Sequence, residues 1–496
     1  MACWAVPDLL PSAAGKTVAT RRKTTENHPA DRPPVIPSQP FALPAASTSP
    51  PRRRPRWLRW LGIAALAGCF SLGAALLWWF RAALYHRLVR FPREEAAWHA
   101  LRSQRQPVAE QAGWREYRGI FHAHSELSHD SEVPFDEILQ VLHRAGLDFV
   151  GLSDHCHADG RADFNSQWRG LREGKLFLPG FEMKDGFMPF GVAPGVVLSN
   201  RTPAAVLAQQ IGRYGGVLFF AHPENPRQWD LAELTGMEIY NLHTDFKRLG
   251  GGIGGTLRAH LPDLILNLRR FPDHIYRLPF QRPTEFLQRW DDLNRSRPIT
   301  GIAGNDCHQN VGLRGYFTPE GTIRIEDTSP RVLREVRLNA LTRSLARLFF
   351  GPLEPGKKLF HVQLDPYERS ARFVNTHLLA RELSEAAVLD ALRAGRVFIG
   401  FDLIADSSGF RWLVRDDSGT AVMGESRPLA ARTRLEAHAP IPCRFTLVRD
   451  GRVVARERGR AVEWSPVGPG KYRVEAELQV RGEWVPWVYA NPIHLR

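Results

Sequence analysis

The stretch G-I-F-H-A-H-S-E-L-S-H-D-S, Gly119–Ser131, gathers His122, His124, His129 and Asp130 within nine residues. Imidazole nitrogens and carboxylate oxygens are the donors that divalent transition metals take. Tyr117–Phe121 is short, apolar and β-prone. If that strand runs on through His124, period-two alternation puts His122 and His124 on one face. Ser125, Ser128 and Ser131 then read as a loop. By itself H-x-H fits two readings in a chain with 18 histidines. One is a metal pair, the other a polar strand end.

Four more short apolar runs end in groups of the same chemistry: L-S-D-H-C-H (Asp154, His155, His157), P-G-F-E (Glu182), A-H-P-E (His222, Glu224) and G-N-D-C-H (Asp306, His308). Taken singly, each His fits a satisfied loop residue. Five such strand ends in one chain point to a shared metal site. In a parallel α/β barrel the C-terminal strand ends converge on one face, where side chains far apart in sequence meet. Amphipathic stretches at Phe135–Ala145 and from Pro203 to Tyr214 lie between strands, and this alternation predicts an α/β fold. Mixed His and carboxylate donors suit Zn, Mn or Fe better than Ca or Mg. Glu182 and Asp306 are candidate bridging carboxylates. Asp154 is a candidate to orient an imidazole from behind, and His157 a candidate acid for a leaving group or a loop residue. Arg161 and Lys184 could steer an anion, but each reads more readily as a solvated surface charge. The G-G-G-I-G-G-T run, Gly250 to Gly255, lacks the strand–turn–helix spacing of a dinucleotide site.

The elements around these motifs differ sharply in composition. Residues 1–118 hold 18 Lys+Arg against 7 Asp+Glu, so most of the net charge of +14 lies there. That distribution suits a membrane-adjacent arm and argues against a nucleic-acid groove in the folded part. Pro29 to Arg56 contains nine prolines and reads as disordered. Leu61 to Phe80 carries no charge over twenty residues, with Trp57 and Trp60 at one end and Trp78 and Trp79 at the other. At 1.5 Å per residue it spans about 30 Å, a bilayer core. A cleaved signal peptide is the competing reading, disfavoured by the long leader. Arginines flank both ends of this segment and lean narrowly towards a cytoplasmic N-terminus. At the other end of the chain, R-F-T-L-V-R-D-G-R-V-V-A-R reads as a hairpin and K-Y-R-V-E-A-E-L-Q-V alternates like a half-buried strand. Five sparse cysteines make no disulfide framework. Cys156 and Cys307 each adjoin a candidate ligand and either pair or fill small pockets.

The order H-x-H…D, S-D-H, G-x-E, A-H-P, G-N-D-x-H resembles the PHP (polymerase and histidinol phosphatase) superfamily over about Tyr117 to His308. E-I-Y-N (Glu238 to Asn241), R-W-D-D-L (Arg289 to Leu293) and the terminal W-V-Y-A-N-P-I-H make the chain similar to a bacterial membrane or envelope branch that includes carbamate- and amide-cleaving enzymes. The resemblance implies an α/β fold, a distorted (β/α)7 PHP-type barrel. It also implies two or three divalent metal ions held by His122, His124, Asp130, His155, Glu182, His222, Asp306 and His308, with His129 outside the set. One departure stands out: the family usually has a further histidine before A-H-P, and here none lies between Glu182 and His222. Phe187 or a neighbour takes that place, which puts full occupancy by three metals in question.

The expected organisation is a disordered arm (1–56), a transmembrane helix (57–82) and a stalk (83–113). A metal-dependent hydrolase barrel (114–350), a connecting segment (351–395) and a small β-sandwich (396–496) follow. The expected activity is a membrane-anchored phosphoesterase that uses a metal-bound hydroxide. The expected substrate is a small anionic ester or an envelope-derived compound, and no nucleic acid. The expected location is a bacterial inner membrane, crossed once, with the C-terminal domains extracytoplasmic. Two alternatives remain: a metal-dependent ester, carbamate or amide hydrolase, and a non-catalytic envelope binding protein with a degenerate metal site.

Overall fold

The computed structural model describes residues 56–109, 113–248, 260–328 and 332–496. The Pro-rich arm before Arg56 and the glycine run from Gly250 to Gly255 lie outside the described residues. The chain divides into two compact units, Met1–Cys69 and Phe70–Arg496.

Helix α1 (Arg56–Tyr85) contains the uncharged segment. Among the described residues it belongs to the single helical stretch long and apolar enough to cross a membrane. A short π-helical turn (His86–Arg90) leads directly into α2 (Phe91–Arg102).

The part that carries the motifs is mixed α/β. Seven strands matter: β1 (Arg115–Ala123), β2 (Phe149–Leu152), β3 (Lys175–Leu178), β4 (Phe187–Phe190), β5 (Val217–Phe220), β6 (Leu234–Asn241) and β7 (Thr300–Cys307). β1 pairs in parallel with β2 and β7, β2 with β3, and β6 with β5 and β7. β4 runs antiparallel to β5, and an isolated bridge joins Gly180, just past β3, to Phe190 of β4. Each strand thus neighbours the next in sequence, and the seventh returns to the first. Helix α3 (Phe135–Ala145) connects β1 to β2, and α4 (Ala204–Arg213) precedes β5. Among the described residues, four helices lie between β6 and β7: α5 (Leu242–Arg248), α6 (Leu261–Asn267), α7 (Pro272–Arg277) and α8 (Thr284–Ser296). α3 closes on Gly146 at φ 64°, a left-handed cap that a side chain would strain.

The expectation of a parallel sheet needs correction for the chain as a whole. The large sheet has 18 strands and is mostly antiparallel. Beyond β7 come β8 (Gly312–Phe317), β9 (Thr322–Asp327), β10 (Val332–Arg337) and β11 (Lys358–Gln363), a separate antiparallel four-stranded sheet that the sequence reading did not foresee. β12 (Asn375–Ala380) then pairs antiparallel with the start of β1, and β13 (Val397–Gly400) with β12. The later strands include β14 (Arg434–Arg449), β15 (Gly470–Val480) and β16 (Glu483–Ala490). β16 pairs with β13, so the C-terminal strands are hydrogen-bonded through to the parallel set.

Two sequence motifs acquire a physical role in this junction. In R-W-D-D-L, the Trp290 indole N–H donates to the Ile299 carbonyl at 2.7 Å, fixing α8 to the entry of β7. In the terminal motif, the Asn491 amide donates to the Gly301 carbonyl at 2.9 Å and accepts from the Gly301 N–H at 2.8 Å. The last strands thereby clamp the strand that presents Asp306.

Candidate metal centre

The strand ends are sewn together at one level. The Ser153 N–H donates to the Ala123 carbonyl at 2.9 Å, the Glu182 N–H to Ser153 at 3.1 Å, and the His124 N–H to Cys307 at 2.9 Å. The side chains that follow therefore meet. Four overlapping donor sets result: His124, Asp130, His155 and His308; His122, His124 and Glu182; His122, His222 and Asp306; His243, Asp306 and His308. In each set the donor atoms lie within 4.8 Å of one another. The eight residues expected as ligands all fall within these sets.

Simple alternation does not bring His122 and His124 together. The register of β1 slips between Phe121 and Ala123 against both neighbouring strands, and His122 sits in this bulge at φ 61°. His222 and Asp306 likewise hold positive φ, at 50° and 52°. Such backbone costs about 1–3 kcal/mol per residue and gathers where function requires it.

Glu182 and Asp306 occupy the middle. Glu182 lies 3.4 Å from His122, 3.8 Å from His124, 3.5 Å from His155 and 3.2 Å from His222. Asp306 lies 3.3 Å from His122, 3.5 Å from both His124 and His222, and 3.2 Å from His308. Asp130 approaches His155 at 3.4 Å and His308 at 3.3 Å. Two donors about 2.1 Å from one cation are about 3.0–3.4 Å apart at tetrahedral or octahedral angles, close to these separations. Several of these buried atoms also lack a well-formed hydrogen bond: His124 Nε2, His308 Nε2, Asp130 Oδ1 and both Asp306 carboxylate oxygens. Buried polar atoms are normally paired, so this concentration fits a cation-binding donor set.

The electrostatics agree. Burial opposes charge on His222 and His308, yet the carboxylates of Glu182, Glu224, Asp306 and Asp130 hold His222 up to about 10 and His308 up to about 9. Burial and the neighbouring His308 push His124 down to about 3. Against the cost of burial, the surrounding imidazoles hold Glu182 and Asp306 well below the usual carboxylate range. These four carboxylates thus draw positive charge into a buried space, and divalent cations can supply it in place of protons.

Residues behind the cluster fix the rings. Glu238 Oε1 lies 2.5 Å from His122 Nδ1, and the same carboxylate accepts from the His222 N–H at 2.9 Å and the Asn241 amide at 3.0 Å. Ser128 Oγ lies 2.9 Å from His124 Nδ1 and accepts the His155 N–H at 2.8 Å. Asp154 is buried and accepts from the Ser125 N–H at 2.5 Å and the Gln167 amide at 2.7 Å. Burial raises its pKa. Its hydrogen-bond partners are Ser125 and Gln167, where an imidazole was expected. His157 is exposed and belongs to none of the four sets. His129 is also outside them, its ring 4.8 Å from that of His155. Arg161 and Lys184 are exposed. Cys156, Cys307 and Cys443 are free thiols, so Cys156 and Cys307 do not pair.

His243 was missed by the sequence reading. It stands two residues past β6, in α5, with Nδ1 3.1 Å from Asp306 Oδ2. The available signal was E-I-Y-N-L-H, another apolar strand followed by a histidine. Phe187, at the place where a histidine was expected, is buried edge-on against Phe220 with ring centroids 5.5 Å apart.

No family model matches the chain, and no curated protein matches it. Among solved structures it is similar to a two-domain protein from Bacteroides vulgatus containing a predicted PHP-like metal-dependent phosphoesterase. The identity is 13%, over 78% of this chain and 98% of that one, with a TM-score of 0.34.

Proposed function

We propose that this chain is a metal-dependent hydrolase of the PHP type, anchored in a bacterial inner membrane by α1 and acting on a phosphoester. The observation that carries the reading is the convergence of nine His, Asp and Glu donors, in four overlapping sets, at the C-terminal ends of the cyclic strand set. The strand order supports a distorted seven-stranded barrel with one reversed strand. The proposed ligands are His122, His124, Asp130, His155, Glu182, His222, Asp306 and His308, joined by His243.

Held by these donors, divalent cations supply Lewis acidity and a bound water whose pKa falls from 15.7 in bulk to about 7. The chain's own residues do the positioning. Glu182 and Asp306 each face several histidines and suit bridging roles. Glu238, Ser128 and Glu224 hold the outer nitrogens of His122, His124 and His222, leaving their inner nitrogens aimed at the centre. His243 also weakens the binding-protein alternative, whose motive was a missing histidine.

The test is metal content by mass spectrometry on the full chain, with bis-(p-nitrophenyl) phosphate hydrolysis on the same sample. At least two metals per chain and chelator-sensitive hydrolysis are expected. The double variant His124→Ala, Asp306→Ala should remain folded and lose turnover. Bound metal with turnover only of carboxylic esters, carbamates or amides would replace phosphoester by that class, and absence of metal would overturn the reading.

A further inference from the structure

A pocket opens directly beside the metal-binding cluster, and His243 and Asp306 line it. It is partly open to solvent, with a cavity volume of about 60 Å³. Most of its remaining wall is apolar: Leu242, Leu264, Ile275, Pro279, Val311 and Leu364. The polar groups at its back are engaged in the fold. The Asn305 amide donates to the Ser370 and Val374 carbonyls at 2.9 and 2.7 Å, and Asp365 accepts the Val311 N–H at 2.9 Å. A ligand entering from the cluster therefore meets mainly hydrocarbon.

Helices α6 and α7 form one wall, and α6 is tied to the helix that continues the apolar span. The Asn267 amide donates to the Ala83 carbonyl at 2.9 Å, Arg87 donates to the Leu266 carbonyl at 2.5 Å, and His86 Nδ1 lies 2.9 Å from Asp263. Ala83 is three residues beyond Phe80, the end of the uncharged segment, so less than one helical turn separates them. On α6, Leu264 lines the pocket while Leu261 and Ile265 face outward, 38% and 60% exposed. A short helix that is apolar on both sides, fixed at the end of a membrane span, suits the bilayer surface.

We infer that this pocket takes the alkyl chain of a bilayer-borne amphiphile, whose ester group then lies at the His243–Asp306 end. The inference rests on the hydrolase reading above and narrows its substrate class. Each methylene moved from water to an apolar wall is worth up to about fourfold in affinity or kcat/KM.

The test uses the full chain in lipid nanodiscs with a series of alkyl p-nitrophenyl phosphates, from ethyl to decyl. The expected result is a rise in kcat/KM of at least about tenfold along the series. Leu264→Trp and Leu364→Trp, which fill the pocket from two sides, should bring the decyl-to-ethyl ratio close to one. Metal-dependent turnover with no dependence on chain length would overturn the pocket assignment and leave the hydrolase reading standing. If no member of the series is turned over, the phosphoester reading fails, and binding of decylphosphonate against ethylphosphonate decides the pocket. Decylphosphonate binding weakened at least about tenfold by Leu264→Trp would support it, and equal binding to wild type and variant would overturn it, since partition into the lipid is common to both.

Discussion

Glu238 stands behind His122, with Oε1 2.5 Å from the ring Nδ1 and both residues fully buried. The space for this carboxylate exists because residue 304 on the neighbouring β7 is glycine; a Cβ there would collide with Glu238 Oε1. The same carboxylate takes the backbone N–H of His222, so one side chain fixes two of the candidate ligands. Glu238→Gln keeps the shape and removes the charge that makes His122 a stronger donor. The expected result is a folded protein whose metal affinity falls about 10–100-fold, read by chelator competition. Unchanged affinity would mean that Glu238 serves packing alone.

His243 makes a second case. It approaches Asp306 at 3.1 Å and shares a donor set with His308. His243→Ala should remove the most weakly held metal, or weaken it by at least about tenfold, while the ions nearer His122 and His124 remain. Metal content after dialysis against a mild chelator reads this directly. Full retention would place His243 outside the metal shell.

The strand-end motifs were legible because strands that end on one face bring their following residues together whatever the chain does between them. His122, His124, His155, Glu182, His222, Asp306 and His308 all lie within or just beyond such ends. His243 escaped because the E-I-Y-N motif ends at Asn241, two residues before it. The position of Phe187 shows why that segment carries no histidine: β4 is reversed, and Phe187 fills core against Phe220. Asp154 was legible as a carboxylate able to hold an imidazole, but its partners Ser125 and Gln167 were not, since such contacts depend on loop geometry. The four-stranded sheet from β8 to β11 was invisible because its burial is shallow. β10 shows no buried residue, so no in–out alternation marks it as a strand.

Stability should depend on pH through a network remote from the metal centre. His377 on β12 is buried between Glu116, 2.8 Å from Nδ1, and Asp402, 2.9 Å from Nε2. Burial opposes its charge, but Asp402 and Glu116 outweigh burial and hold it up to about 9. Its folded pKa thus lies above the unfolded value near 6.5, so its contribution is complete below about 6.5 and is lost as pH rises through about 9. The loss amounts to something on the order of 3 kcal/mol. Denaturant unfolding at pH 6.5 and pH 9.5 should show that decline, and His377→Gln should flatten it. A wild-type profile flat over this window would refute the assignment.

The junction between the C-terminal strands and the parallel set yields the last prediction. Arg473 on β15 is buried and makes a two-pronged contact with Asp291 on α8, at 2.6 and 2.7 Å, while a third N–H reaches Glu475 at 2.7 Å. Its guanidinium also lies 5.4 Å from the centre of the Trp290 ring. Asp291 thus ties the last strands to the helix that leads into β7 and so to Asp306. Removing one partner leaves a buried charge unpaired, which costs about 3–5 kcal/mol, whereas replacing both with apolar groups of similar volume is often neutral. Asp291→Ala should therefore destabilise in urea unfolding, by less than the full cost of about 3–5 kcal/mol because Glu475 still pairs with Arg473. The double variant Asp291→Leu, Arg473→Met should recover most of that loss. If β7 is positioned through this contact, Asp291→Ala should also weaken metal binding below its unfolding range, and the double variant should restore it. Recovery of stability without recovery of metal affinity would separate the two roles and show that the ion pair itself, beyond packing, sets the place of Asp306.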